Sequence, residues 1–156
     1  MRSCRQNGIV MLFLMMGLLL GSCTDNKQAG ALGIMEAHLR PCPATPNCVS
    51  SDSSDAGHQV PPYTLKSSAA EAWSVARRLI VELPRTRIVT EQPDYLHAEC
   101  SSALFGFVDD LELHLRPADR LIAIRSVSRS GYSDFGVNRQ RVEDLRAALI
   151  KQGVVQ

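Results

Sequence analysis

Two alternating segments joined by a four-residue loop constrain this chain more than any other feature. Leu111, Leu113 and Leu115 recur at every second position, and Ile122 and Ile124 repeat that spacing after Pro117-Ala118-Asp119-Arg120. Period-two alternation sends successive side chains to opposite faces of a strand. So short a loop implies antiparallel neighbours, because a parallel return needs a dozen residues or more. Pairing Arg116 with Leu121 sets Leu115 against Ile122, Leu113 against Ile124 and Leu111 against Ser126. Glu112 then faces Arg125 on the other side, an opposite-charge cross-strand pair. A slip of one residue would oppose Leu111 to Arg125, so the first register is expected. It places Asp109 on the apolar side, opposite Ser128, and Asp110 outward. A carboxylate on a core face must be paired or hydrogen-bonded.

The neighbouring segments extend this pattern. Thr86–Glu91 and Tyr95–Ser101 have strand character, separated by the turn signal Gln92-Pro93-Asp94. Together with Gly106–Arg116 and Leu121–Ser128 they make four strands. His97 and His114 fall on the outer faces and are expected to be solvated. Ser68-Ala69-Ala70-Glu71 has the form of a capping box. Ala72, Trp73, Ala76, Leu79, Ile80 and Leu83 follow at helical spacing until Pro84 stops the run. A second helix is expected from Val137 or Asn138 to about Gln152, with Val142, Leu145, Ala148 and Leu149 as its apolar stripe. The expected fold class is α+β: a two-layer sandwich of one antiparallel four-stranded sheet with both helices on one face, in the order helix, four strands, helix.

The amino terminus reads as a targeting segment. Arg2 and Arg5 precede an uncharged apolar run from Ile9 to Leu20. That length suits the core of a signal peptide and falls short of the ~20 residues a membrane span needs. Leu20-Gly21-Ser22-Cys23 then resembles a lipobox, which implies acylation of Cys23 with palmitate-type chains and cleavage before it. The expected organisation is a signal peptide over 1–22, a lipidated amino terminus and flexible tether over 23–40, and one α+β domain over 41–152. A short helical turn around Ile34 to Leu39 is allowed. The expected location is the cell envelope, lipid-anchored on the periplasmic side. Thr24 after Cys23 favours the outer membrane in the lipoproteins it resembles.

Beyond Ser22 the chain carries 15 basic and 16 acidic residues, a net charge of −1. Nucleic-acid binders usually show a basic excess, so no nucleic-acid partner is expected. Cys42 and Cys48 flank a Pro-containing loop and are candidates for a local disulfide, permitted in an oxidising compartment. A metal site using His38 or His58 is the alternative, but the five-residue gap is not the spacing of zinc hooks, and no metal or cofactor is expected. Cys100 shares a strand face with Leu96 and Ala98 and reads as a small core residue. Pro41 to Tyr63 has no regular pattern. A stretch like that is a lid, a binding loop or a strap over the sheet edge.

Several stretches resemble one family in order along the chain. They are Cys42-Pro43, Pro46-Asn47-Cys48-Val49-Ser50-Ser51, Gly106-Phe107-Val108-Asp109-Asp110, and the run from Arg125 through Arg129-Ser130-Gly131-Tyr132-Ser133-Asp134 to Arg141. The family is that of domain of unknown function 1499, bacterial and plastid proteins, and the resemblance covers about Leu39 to Lys151. It implies envelope or plastid placement and supplies no catalytic residue.

The loop from Arg129 to Arg139 is rich in glycine and hydroxyl side chains and leads into the second helix. Arg139 and Arg141 lie in that helix's first turn, where cations oppose the helix dipole. Their compensation is either internal, from Asp109, Asp110 or Asp134, or external, from a bound anion. The candidate ligand-binding set is therefore Arg125, Arg129, Ser133, Asp134, Asn138, Arg139 and Arg141, with Asp109 and Ser128 as a polar core. Three readings compete. One is an anchored binding module for an anionic small molecule. The second is a structural or protein-interaction domain of the envelope whose polar cluster serves only the fold. The weakest is a hydrolase using Asp109 and Asp134. No catalytic residue is assigned.

Overall fold

In a computed structural model of the chain, residues 31–156 are described. Cys23, the preceding signal segment and most of the expected tether lie outside them. The architecture corrects the expected single four-stranded sheet with helix–four strands–helix order. Among the described residues eight strands form two sheets, one of six strands and one of two, and four short strands precede the helix Ala69–Glu82.

The elements are β1 (Ile34–Met35), β2 (His38–Leu39), β3 (Cys48–Ser50), β4 (Tyr63–Thr64), α1 (Ala69–Glu82), β5 (Thr86–Glu91), β6 (Tyr95–Ser101), β7 (Val108–Arg116), β8 (Leu121–Ser128) and α2 (Val137–Lys151). The large sheet runs β3-β8-β7-β6-β5, and β4 also pairs with β8. The β7–β8 register is the one read from the sequence, from Asp109 opposite Ser128 to Arg116 opposite Leu121. The additional strands lie on the free edge of β8, where β3 pairs with 125–127 and β4 with 121–122. At two and three residues they are too short to show a periodicity.

One face of the sheet carries the apolar core. Leu96, Ala98, Leu111, Leu113, Ile122 and Ile124 pack against Ala72, Ala76 and Ile80 of α1 and Val142, Leu145 and Leu149 of α2. Ser68 caps α1 by accepting from the Glu71 amide at 3.2 Å. Tyr63 is fully buried, and its hydroxyl donates to the Val142 carbonyl at 2.8 Å. Leu39 at one end and Val154 and Val155 at the other are buried too, so the packed body reaches past residues 41–152.

The opposite face was expected to meet water, and it does not. Asp110, Glu112 and Arg125 have no exposed surface, and Tyr95, His97 and His114 are buried. The β1–β2 hairpin, rather than a helical turn, covers part of this face. Leu39 packs with Tyr95 and Ala123, and the Gly33 amide donates to Glu112 Oε1 at 2.6 Å. Asp52 receives the Leu39 amide and a two-armed ion pair from Arg116, tying the strap to the end of β7.

Burial alone would raise the Asp110 carboxyl pKa. The contact with His97 and two hydrogen bonds from Arg129 outweigh it, leaving the group below its usual range. The folded state then binds fewer protons than the unfolded chain near the ordinary carboxylate pKa. The resulting stabilisation is complete above about pH 4 and is lost as pH falls through the lowered value. The urea midpoint should therefore hold steady from neutral pH to about pH 5 and fall below about pH 4. An Asp110→Asn variant should show a shallower acid limb; an unchanged limb would assign the acid loss to other carboxylates, such as Asp52 and Glu99.

Candidate functional site

The polar residues singled out in the sequence lie at one end of the sheet, where β6, β7 and β8 meet the start of α2. The β8–α2 loop owes its shape to local hydrogen bonds. Asp134 accepts from the Gly136 amide at 3.0 Å and the Asn138 amide at 2.8 Å, so both its oxygens serve the first turn of α2. Gly136 precedes that helix at φ 84°, a left-handed conformation that suits glycine. Ser133 Oγ accepts from the Phe135 amide. Asn47 Nδ2 donates to the Gly131 carbonyl at 2.7 Å, fastening the loop to the segment before β3.

Asn138 is a fully buried hub. Its Oδ1 accepts from Ser126 Oγ and Arg141 Nη1, each at 2.6 Å, and its Nδ2 donates to the Asn47 carbonyl and Ser128 Oγ. Arg141 also donates to Asp109 Oδ2 at 2.7 Å. The carboxylate on the core face is thus paired, and the dipole-opposing cation has an internal counter-charge.

The other arginines are engaged in the same way. Arg125 pairs with Glu112 at 2.5 Å, both fully buried. Arg129 bridges Asp110 and Glu99, which hold its guanidinium well above its ordinary pKa against the opposing effect of burial. Arg139 donates to the carbonyls of Gly57 and Gln59, each at 2.9 Å, so it ties α2 to the segment after β3. The cluster read as an anion site is therefore built largely from internal contacts.

Two further alternatives meet geometric obstacles. Asp109 lines a cleft with Arg141, whereas Asp134 lines a smaller cavity with Ser133 and Arg139, so each of these two cavities holds one of the two carboxylates. Cys42 and Cys48 are joined in a disulfide, and His58 Nδ1 lies 2.9 Å from the Cys48 carbonyl, so neither thiolate remains for a metal. Among the described residues no three His, Cys, Asp or Glu side chains converge as metal ligands, and no helix is long and apolar enough to cross a membrane.

One cavity has the dimensions of a small-molecule site. It measures about 420 Å³ and opens between the end of α1, the start of α2 and the ends of β5–β7. Leu83, Pro84, Ala103 and Val137 give it apolar walls, and Arg85, Gln140, Arg141 and Asp144 give it polar groups. Cys100 lines its floor, with a thiol pushed to higher pKa by burial and so of low reactivity. Arg85 was not singled out from the sequence. It is exposed, Nε donates to the Ser101 carbonyl at 3.2 Å, and among the described residues it pairs with no carboxylate. Its only sequence signal is a position just after Pro84, where α1 has stopped.

A family model described as "Protein of unknown function (DUF1499)" matches residues 38–149 of the chain. No curated protein matches it.

Proposed function

The chain belongs to the DUF1499 family, a family described without an activity, and from that premise we propose a lipid-anchored envelope protein whose domain binds a small anionic ligand in the cleft beside Arg85. The anchoring rests on the sequence pattern ending at Cys23. Binding rests chiefly on one observation: among the described residues the Arg85 guanidinium has no carboxylate partner, and it stands on a cleft of about 420 Å³ with mostly apolar walls. A ligand with a carboxylate or phosphate head and an apolar body suits that lining. Arg141 would shape the wall, its charge already answered by Asp109. The expected site thus moves from the β8–α2 loop to the cleft.

Thermal unfolding with envelope anions tests this: phosphate, sulfate, acidic sugars and short-chain acyl phosphates. A ligand present at a hundred times its dissociation constant adds ~2.7 kcal/mol. Arg85→Gln should abolish the gain and leave the unliganded melting temperature nearly unchanged. Arg139→Ala should lower that temperature yet keep the gain. No gain with any anion would favour the second reading, a structural or protein-interaction domain. That reading draws on the internal pairing of Arg125, Arg129 and Arg141.

A further inference from the structure

The same end of the domain exposes six large apolar side chains. The β6–β7 and β8–α2 loops leave the sheet side by side: Ser101 pairs with Val108, Asp109 with Ser128, and the Arg129 amide donates to the Val108 carbonyl. From these loops and the start of α2 project Leu104, Phe105, Phe107, Tyr132, Phe135 and Val137, all exposed. Leu104 is 81% and Phe135 96% accessible. Phe105 and Phe107 form a tilted pair with ring centroids 5.8 Å apart. Phe135 also sits at φ 54°, a left-handed conformation unfavourable for a bulky side chain. The loop that holds it there is fastened by Ser133, Asp134 and Asn47. A large side chain held in a costly conformation and fully in water is a sign of an outward-facing role.

We infer that this tip dips into the surface of the membrane that holds the anchor. Two observations select a lipid interface as the occupant. Residues 102–107 and 130–137 include one charged side chain, Asp134, and both its oxygens are already hydrogen-bonded to backbone amides. The tip can therefore leave water without stranding a charge, as shallow interfacial insertion requires. The second is reach. Gly33 is held at Glu112, four residues along β7 from Val108, about 13 Å at the rise of a strand. Cys23 and Gly33 are ten residues apart in sequence, a leash of at most about 35 Å. An anchor at Cys23 keeps the tip within range of the same bilayer, at an effective concentration where a weak contact suffices. This inference rests on the anchoring reading; the tip shares Ala103 and Val137 with the cleft wall, and its test needs no ligand.

The test uses the full chain, produced in a bacterial host and reconstituted into phosphatidylethanolamine–phosphatidylglycerol vesicles. Trp73, the single tryptophan, is replaced by Phe, and a reporter is introduced as Phe135→Trp or, on the other loop, Leu104→Trp. Both reporter positions are almost fully exposed, so the fold should be retained. The expected result is blue-shifted emission, quenched at least twofold by lipids brominated near the head-group end of their chains. Emission typical of water with no quenching, in a chain acylated at Cys23, overturns the tip contact and leaves the anchor standing. Quenching in a chain found unacylated at Cys23 supports the tip contact and removes the anchor. A blue shift that needs an added envelope protein and shows no bromolipid quenching overturns the inference in favour of a protein partner.

Discussion

Glu112→Ala should lower the unfolding free energy by about 3–5 kcal/mol, the range found when one member of a buried ion pair is removed. Glu112 and Arg125 are both without exposed surface, and Glu112 also accepts from Tyr95 and Gly33. Its loss leaves a buried guanidinium uncompensated and two donors unsatisfied. The remaining bonds of Arg125 cannot absorb this: among the described residues its Nε has no partner, and Nη2 reaches only the Pro41 carbonyl at 3.4 Å. Urea unfolding measures the effect. The double change Glu112→Leu with Arg125→Met should recover part of the stability, because apolar replacements of similar volume remove the desolvation cost of both charges while the Tyr95 hydroxyl and the Gly33 amide stay without their acceptor. A loss below about 1 kcal/mol in the single variant would mean that the face is not closed to water.

Asn138→Ala is expected to cost about 3 kcal/mol, from buried partners at about 1–3 kcal/mol each, only some of which find new bonds. The side chain joins β8, the segment before β3 and Arg141. The melting temperature should fall by on the order of 10 °C. If Asn138 served a ligand instead, the unliganded protein would melt normally and only a ligand-induced gain would be lost. The two roles are separated by calorimetry without ligand.

Much of the β7–β8 geometry was legible because period two and a short loop leave only one register that keeps Arg125 off the leucine face. Both helices were legible from their apolar stripes and stop signals. The strands on the far edge of β8 were not, since Tyr63–Thr64 and Cys48–Ser50 are too short to carry a pattern. The β1–β2 hairpin lacked a signal as well. It turns on Glu36 and Ala37 at φ 50° and 67°, positions where glycine or asparagine would have announced a turn.

The candidate site shows the same division. The sequence by itself determined which residues share a strand face: Glu112 with Arg125, and Asp109 with Ser128. Alternation is a local property of the backbone and needs no knowledge of the rest of the chain. Only the tertiary structure decided what lies over each face. Polar residues at every second position look solvated, and His97 and His114 were read so. Packing, with the hairpin strap over part of that face, turned it into an interior where every charge had to be answered. The arginines near α2 were engaged by the same necessity, and among the described residues Arg85 is left beside the cleft without a carboxylate partner. Neighbouring charges consume one another when a fold buries them, and burial is set by segments distant in sequence.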